Sequence, residues 1–259
     1  MKLSSRPRLA AVLASAAVAG LVVVVTVVAN RSPERKATCR SALIPAYLPP
    51  KAIVELARGP ARPRLLVINP ASGPGAERSD DYRDAVRAAQ RSGARVLGYV
   101  PTTYAMRPVG DVQTDIDRYL SWYGVDGVFL DETSHDAAHL PYYAQLSREI
   151  RASGKRVVMN PGVPPARGYF DLADVVVTFE GTYADYNAAV ERMPDWIRRQ
   201  PPGRIAHLVY GASREQALDA IHNPGEAGYV YATSGSMPDP WRDLPAYLDE
   251  EEEALQACS

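Results

Sequence analysis

Short apolar runs alternate with longer amphipathic stretches along most of the chain. The runs at 42–47, 65–69, 96–100, 127–131, 156–160, 174–178, 205–210 and 228–232 have the length of strands. Most are continuous rather than alternating, the pattern of strands covered by helices on both faces. The segments between them carry a helical period. Residues 80–92 put Tyr82, Ala85, Val86 and Ala89 on one face, with Asp81, Arg83, Asp84 and Arg87 elsewhere. Residues 111–123 gather Ile116, Tyr119, Leu120 and Tyr123, and residues 213–222 form a further helix with Ser213 as N-cap and Glu215 in its first turn. Ser92-Gly93 and Ser153-Gly154 read as helix ends, and each leads through basic residues into the next strand. The acidic run 249–253 reads as the solvated face of a last helix.

Eight strand-plus-helix units predict a single-domain (β/α)8 TIM barrel over residues 41–259. The competing α/β fold, a doubly wound sheet, calls for a Gly-rich phosphate turn after its first strand. Tyr47-Leu48-Pro49-Pro50 stands there instead, which favours the barrel.

The first thirty residues do not fit this rhythm. Lys2, Arg6 and Arg8 precede an apolar run at 9–29, the order of charge and hydrophobicity found in a secretory signal. Val27-Val28-Ala29 offers small residues for cleavage, yet the run is also about long enough to span a bilayer. Residues 1–30 are therefore expected to be a signal peptide or an N-terminal membrane anchor, and residues 31–40 a polar linker. Both alternatives place the barrel outside, either secreted or anchored to the outer face of the cytoplasmic membrane. The two cysteines, Cys39 and Cys258, flank the barrel. In an oxidising compartment they are expected to pair, because the ends of a closed barrel are neighbours.

The bulk composition narrows the chemistry. A formal net charge of −1 lacks the basic surplus of a nucleic-acid binder. Tyr, at 15 residues, far outnumbers Phe, at 3, and Tyr combines an apolar face with a polar tip suited to sugar. Active sites of such barrels lie at the carboxyl ends of the strands. Those ends offer Tyr47, Asn69, Tyr99, the adjacent acids Asp131 and Glu132, Asn160, Glu180, Tyr210 and Tyr231. Carboxylates on buried strands are costly to desolvate. Two of them are the minimum for glycoside hydrolysis, one as general acid and one as nucleophile or base. Adjacent strand residues point opposite ways, so either Asp131 or Glu132 must leave the strand to join the other.

Other chemistries are less well supported. His135-Asp136-Ala137-Ala138-His139 spaces two imidazoles for one helix face, but Asp136 replaces the Glu of a zinc motif and no strong third ligand is evident. Gly73-Pro74-Gly75 lacks the Lys-Ser/Thr ending of a phosphate loop, and no Gly-x-Ser-x-Gly elbow occurs. No metal and no cofactor are expected.

Four segments together resemble the spherulin 4 (spherulation-specific family 4) proteins: Ile68-Asn69-Pro70-Ala71-Ser72-Gly73-Pro74-Gly75, Val96-Leu97-Gly98-Tyr99-Val100-Pro101-Thr102-Thr103-Tyr104, Val125-Asp126-Gly127-Val128-Phe129-Leu130-Asp131-Glu132 and Thr178-Phe179-Glu180-Gly181. The resemblance runs over about residues 41–250, with Pro101 where many relatives carry His. It implies a (β/α)8 glycoside hydrolase acting within an exopolysaccharide that contains N-acetylgalactosamine, as fungal members do on biofilm matrix. It places the acids on Asp131, Glu132 and Glu180, and Tyr47, Asn69, Tyr99, Tyr104 and Asn160 around the cleft. The expected roles are Glu180 as general acid and Asp131 as nucleophile or stabiliser of the oxocarbenium-like centre, or as the group that orients a substrate N-acetyl carbonyl, with the reverse assignment of the two acids left open. The partner is then a polysaccharide, and a monomer is expected. The alternative is a non-catalytic carbohydrate-binding protein of the cell surface on the same scaffold.

Overall fold

The computed structural model describes residues 40–59 and 65–256. The leader at 1–30, its apolar run at 9–29, nearly all of the linker, Cys39 and Cys258 lie outside the described residues. Eight parallel strands follow one another in sequence order around a single sheet. They are β1 (Leu43–Ala46), β2 (Leu65–Ile68), β3 (Arg95–Pro101), β4 (Gly127–Asp131), β5 (Arg156–Met159), β6 (Val175–Thr182), β7 (Ile205–Tyr210) and β8 (Tyr229–Ala232). The Ser41 N–H donates to the Gly228 carbonyl at 2.9 Å, and the Val230 N–H donates to the Ser41 carbonyl at 3.1 Å. These two bonds tie the first strand region to the last and make the sheet a barrel.

The helices are α1 (Pro50–Arg58), α2 (Asp80–Arg91), α3 (Val109–Arg118), α4 (Leu140–Ala152), α5 (Tyr169–Leu172), α6 (Tyr183–Glu191), α7 (Asp195–Arg198), α8 (Arg214–His222) and α9 (Leu248–Gln256). Every residue of β1 and β2 is buried, as continuous apolar runs demand of strands covered on both faces. Ser79 caps α2 by accepting the Tyr82 N–H, and Ser213 and Gln216 form a reciprocal capping box at α8. Asp126 and Asp174, just ahead of β4 and β6, accept the N–H of Val96 and of Val157 at the start of the preceding strands, each at 2.8 Å. These bonds secure the amino-terminal face, away from the strand ends that carry the acids.

Three sequence-based expectations are corrected. The helix expected over 111–123 ends at Arg118 and continues as one π-helical turn, Tyr119–Tyr123. Both tyrosines are buried there, and their hydroxyls donate to the carbonyls of Ile68 and Pro74. The strand expected to end at 178 extends to Thr182, with a bulge between Val177 and Phe179 opposite β7. The acidic run is indeed part of the last helix, but Glu251 and Glu252 are only 1% and 2% exposed. Glu251 lies on the same helix face as Leu248 and Leu255 and accepts a hydrogen bond from the Ala232 backbone. Burial pushes its carboxyl up to about 9.

Candidate active site

A cavity of about 490 Å3 opens at the carboxyl ends of the strands. The predicted residues Tyr47, Tyr99, Tyr104, Asp131, Glu132, Asn160, Glu180 and Tyr210 all line it. Asn69 and Tyr231 do not. The Asn69 side chain accepts the Gly73 N–H at 2.8 Å and shapes its own loop, and Tyr231 is buried with its ring 6.0 Å from that of Trp241.

The bulge in β6 sits just before the acid it serves. Pairing resumes with Phe179 opposite His207 and Glu180 opposite Leu208, and Leu208 and Glu180 share the cavity wall. Phe179 turns the other way, its ring 5.0 Å from that of Tyr186. His207 points outward too: its ring nitrogens lie 3.0 Å from the Tyr186 hydroxyl and 3.1 Å from the Thr178 hydroxyl. Burial pushes its pKa down to about 3, so it is a neutral packing group.

Asp131 and Glu132 reach the same cavity because the chain changes hand between them. Asp131 ends β4 in regular strand geometry, whereas Glu132 has φ +48°, a left-handed conformation that strains a non-glycine residue by about 1–3 kcal/mol. Opposite it, the loop after β3 holds three consecutive left-handed residues, Thr103, Tyr104 and Ala105, with φ of 48°, 55° and 70°. The two strained segments are bonded together. The Tyr104 N–H donates to the Glu132 carbonyl at 2.7 Å, and the Thr102 N–H to the Asp131 carbonyl at 2.9 Å. The buried Thr102 hydroxyl lies 2.9 Å and 2.8 Å from the same two carbonyl oxygens and 2.9 Å from the Tyr143 hydroxyl.

Asn160 joins the acids. Its side-chain oxygen accepts the Gly162 N–H at 3.0 Å, which turns the amide nitrogen toward Asp131 Oδ1, 2.7 Å away. The same nitrogen donates to Glu180 Oε2. Two contacts of hydrogen-bond length to one nitrogen keep those carboxylate oxygens within about 6 Å of each other. The two acids differ in their other donors. Asp131 also accepts from the Glu132 backbone N–H and the Tyr99 hydroxyl, while Glu180 has the Trp241 side chain. Burial raises both carboxyls above their usual range. Glu180, with fewer donors and the Asp131 charge beside it, is pushed up to about 7.

The loop after β8 supplies Met237, Pro238, Asp239, Pro240 and Trp241 to the wall, and none of these was singled out from sequence. A tryptophan just past the last strand of a barrel was the available signal. The exposed large apolar side chains among the described residues are Tyr104, Met106, Val163 and Met237. Three line the cavity and Met106 shares the loop of Tyr104, so the exposed apolar surface is gathered at the mouth. His135 and Asp136 are exposed, and His139 Nδ1 lies 2.7 Å from the Ser134 hydroxyl. No group of three or more His, Cys, Asp or Glu residues able to hold a metal ion occurs among the described residues.

Comparison with known proteins matches this description. The model of the spherulation-specific family 4 covers residues 42–255. Spherulin-4 of Physarum polycephalum is 30% identical over 236 residues, 84% of this chain and 70% of that protein. Among solved structures, Aspergillus clavatus Sph3 in complex with GalNAc superposes with a TM-score of 0.72 at 25% identity, over 85% of this chain and 99% of that one. A GH18 chitinase from Pseudoalteromonas aurantia shares the fold alone, with a TM-score of 0.53 at 10% identity over 83% of this chain and 98% of its own. The chain belongs to spherulation-specific family 4.

Proposed function

We propose that the protein is an exported glycoside hydrolase that cleaves within an amino-sugar polysaccharide containing N-acetylgalactosamine. The observation that carries this reading is the Asn160 amide shared by Asp131 and Glu180, two acids in one cavity with unequal environments. Unequal environments separate an acid from a base. Glu180 keeps its proton near neutrality and donates it to the glycosidic oxygen as the bond breaks. Asp131, stabilised as an anion by three donors, faces the developing oxocarbenium centre. Carboxyl groups about 5–5.5 Å apart characterise retaining enzymes and wider separations inverting ones. The single bridging amide therefore favours retention, with Asp131 as nucleophile or as the group that orients an N-acetyl carbonyl of the substrate.

Glu132 adds a third carboxylate to the same wall. Tyr47 and Tyr99, edge to face with ring centroids 5.3 Å apart, offer ring faces and hydroxyls to a sugar. The apolar mouth suits the C–H faces and acetyl methyls of sugars flanking the cleaved one, as endo-action requires. The Sph3 structure with GalNAc supports the choice of sugar. Residues 1–30 are proposed to direct export or to anchor the barrel outside the cell.

The test is digestion of fully N-acetylated and de-N-acetylated galactosamine polymers by the purified protein. Internal cleavage of the acetylated polymer, read as new oligosaccharides, is the expected result. Binding without new reducing ends would favour the non-catalytic alternative.

A further inference from the structure

The three consecutive left-handed residues after β3 need a restraint, and the structure supplies one outside the cavity. Arg107 follows Thr103, Tyr104 and Ala105 within the same turn of chain. Its guanidinium donates to the Pro101 carbonyl at 3.0 Å and to Asp115 Oδ2 at 2.5 Å. Its own N–H donates to the Thr102 carbonyl at 3.3 Å, and its carbonyl accepts from the Tyr142 hydroxyl at 2.9 Å. One side chain thus spans the loop from its entry at Pro101 to α3, where Asp115 is 12% exposed. The loop closed in this way is the one whose Tyr104 N–H holds the Glu132 carbonyl.

We propose that Arg107 is a positioning residue for the active site: its bonds to Pro101 and Asp115 hold Thr103–Tyr104–Ala105 left-handed, and that run holds the turn carrying Glu132 beside Asp131. This rests on the glycosidase reading for its effect on catalysis, but its effect on the backbone does not. A planar fork is required, because two acceptors on different segments must be met at once. Lysine keeps the charge and cannot span both. Arg118 lies 3.8 Å from Asp115 Oδ1, so this buried acid should keep a cation beside it when Arg107 is replaced.

The experiment combines Arg107→Lys and Arg107→Ala with a relief substitution, Ala105→Gly, placed in each background. Glycine enters the left-handed region without a Cβ penalty. Hydrolysis of the N-acetylated polymer and crystal structures of the variants are read together. Arg107→Ala is expected to lose about 10²-fold in kcat, and Arg107→Lys about 10-fold, as small displacements of reacting groups do. The crystal structures should show residues 103–105 out of the left-handed region and the Tyr104–Glu132 bond broken. Adding Ala105→Gly should return a large part of kcat and restore that bond. Wild-type kcat with an unchanged loop in both single variants would overturn the proposal. So would a kcat loss that Ala105→Gly leaves untouched. If the wild type cleaves no glycoside, the glycosidase reading fails on its own, and the loop conformation in the crystals still decides the role of Arg107.

Discussion

At the scale of single residues, the central asymmetry is between two acids tied to one amide. Glu180 is held up to about 7 by burial and by the charge of Asp131, so its proton is present below neutrality and is lost as pH rises through that value. Activity should therefore fall on the alkaline side near pH 7. It should fall again at low pH as Asp131 is protonated, a bell whose limbs belong to the pair. Glu180→Gln should remove about 10²–10⁴-fold of the rate and abolish the alkaline limb. Asn160→Ala withdraws a donor that lowers Glu180, so its alkaline limb should move to higher pH while the rate falls about 10²-fold. A pH–rate profile of the two variants checks both. An Asn160→Ala profile shifted to lower pH would contradict the bridge. The acids themselves were legible in the sequence because carboxylates that terminate apolar runs stand out by desolvation cost. The roles of Asn69 and Tyr231 were not, since a strand-end position does not say whether a side chain turns into its own loop or beneath a tryptophan.

At the scale of elements, β3, β4 and β6 each depart from regularity where they meet the cavity. The strand pattern placed all three, but neither the left-handed residues at Glu132 and Thr103–Ala105 nor the β6 bulge leaves a trace in hydrophobic periodicity. None of those left-handed positions is a glycine, the residue that would have announced the conformation. Elsewhere glycine does mark a close approach. A Cβ at Gly98 in β3 would lie 2.4 Å from Cγ of Tyr119, the first residue of the π-helical turn. Gly98→Ala must displace that buried ring and the Tyr119–Ile68 bond, at a cost of about 2 kcal/mol or more. Thermal or denaturant unfolding measures this. A variant as stable as the wild type would mean that the ring moves freely.

At the scale of the whole molecule, the sequence rhythm of eight βα units was enough for the barrel, because most strand runs are continuously apolar and the longer helices between them carry apolar stripes. Charge patterning was a poorer guide at the C-terminus. Five consecutive acids suggest solvent, yet the helical stripe that buries Leu248 and Leu255 carries Glu251 inward with them. This has a consequence for stability. The folded Glu251 carboxyl titrates near 9 against an ordinary 4.5, so the folded form keeps a proton that the unfolded chain releases. The favourable contribution is complete below about pH 4.5 and is lost as pH rises toward 9, with Glu180 adding to the fall up to about 7. The melting temperature should therefore decline from pH 5 to pH 9. Glu251→Gln should flatten that decline, and parallel curves for the two proteins would show that Glu251 ionises freely.

Asp131 and Glu180 are proposed to break a glycosidic bond together. Reducing ends released from the N-acetylgalactosamine polymer by the wild type, Glu180→Gln and Asp131→Asn, side by side and at equal folded concentration, test it most directly. The wild type should release reducing ends steadily, and each variant should lose at least about 10²-fold. Equal release by all three would contradict it.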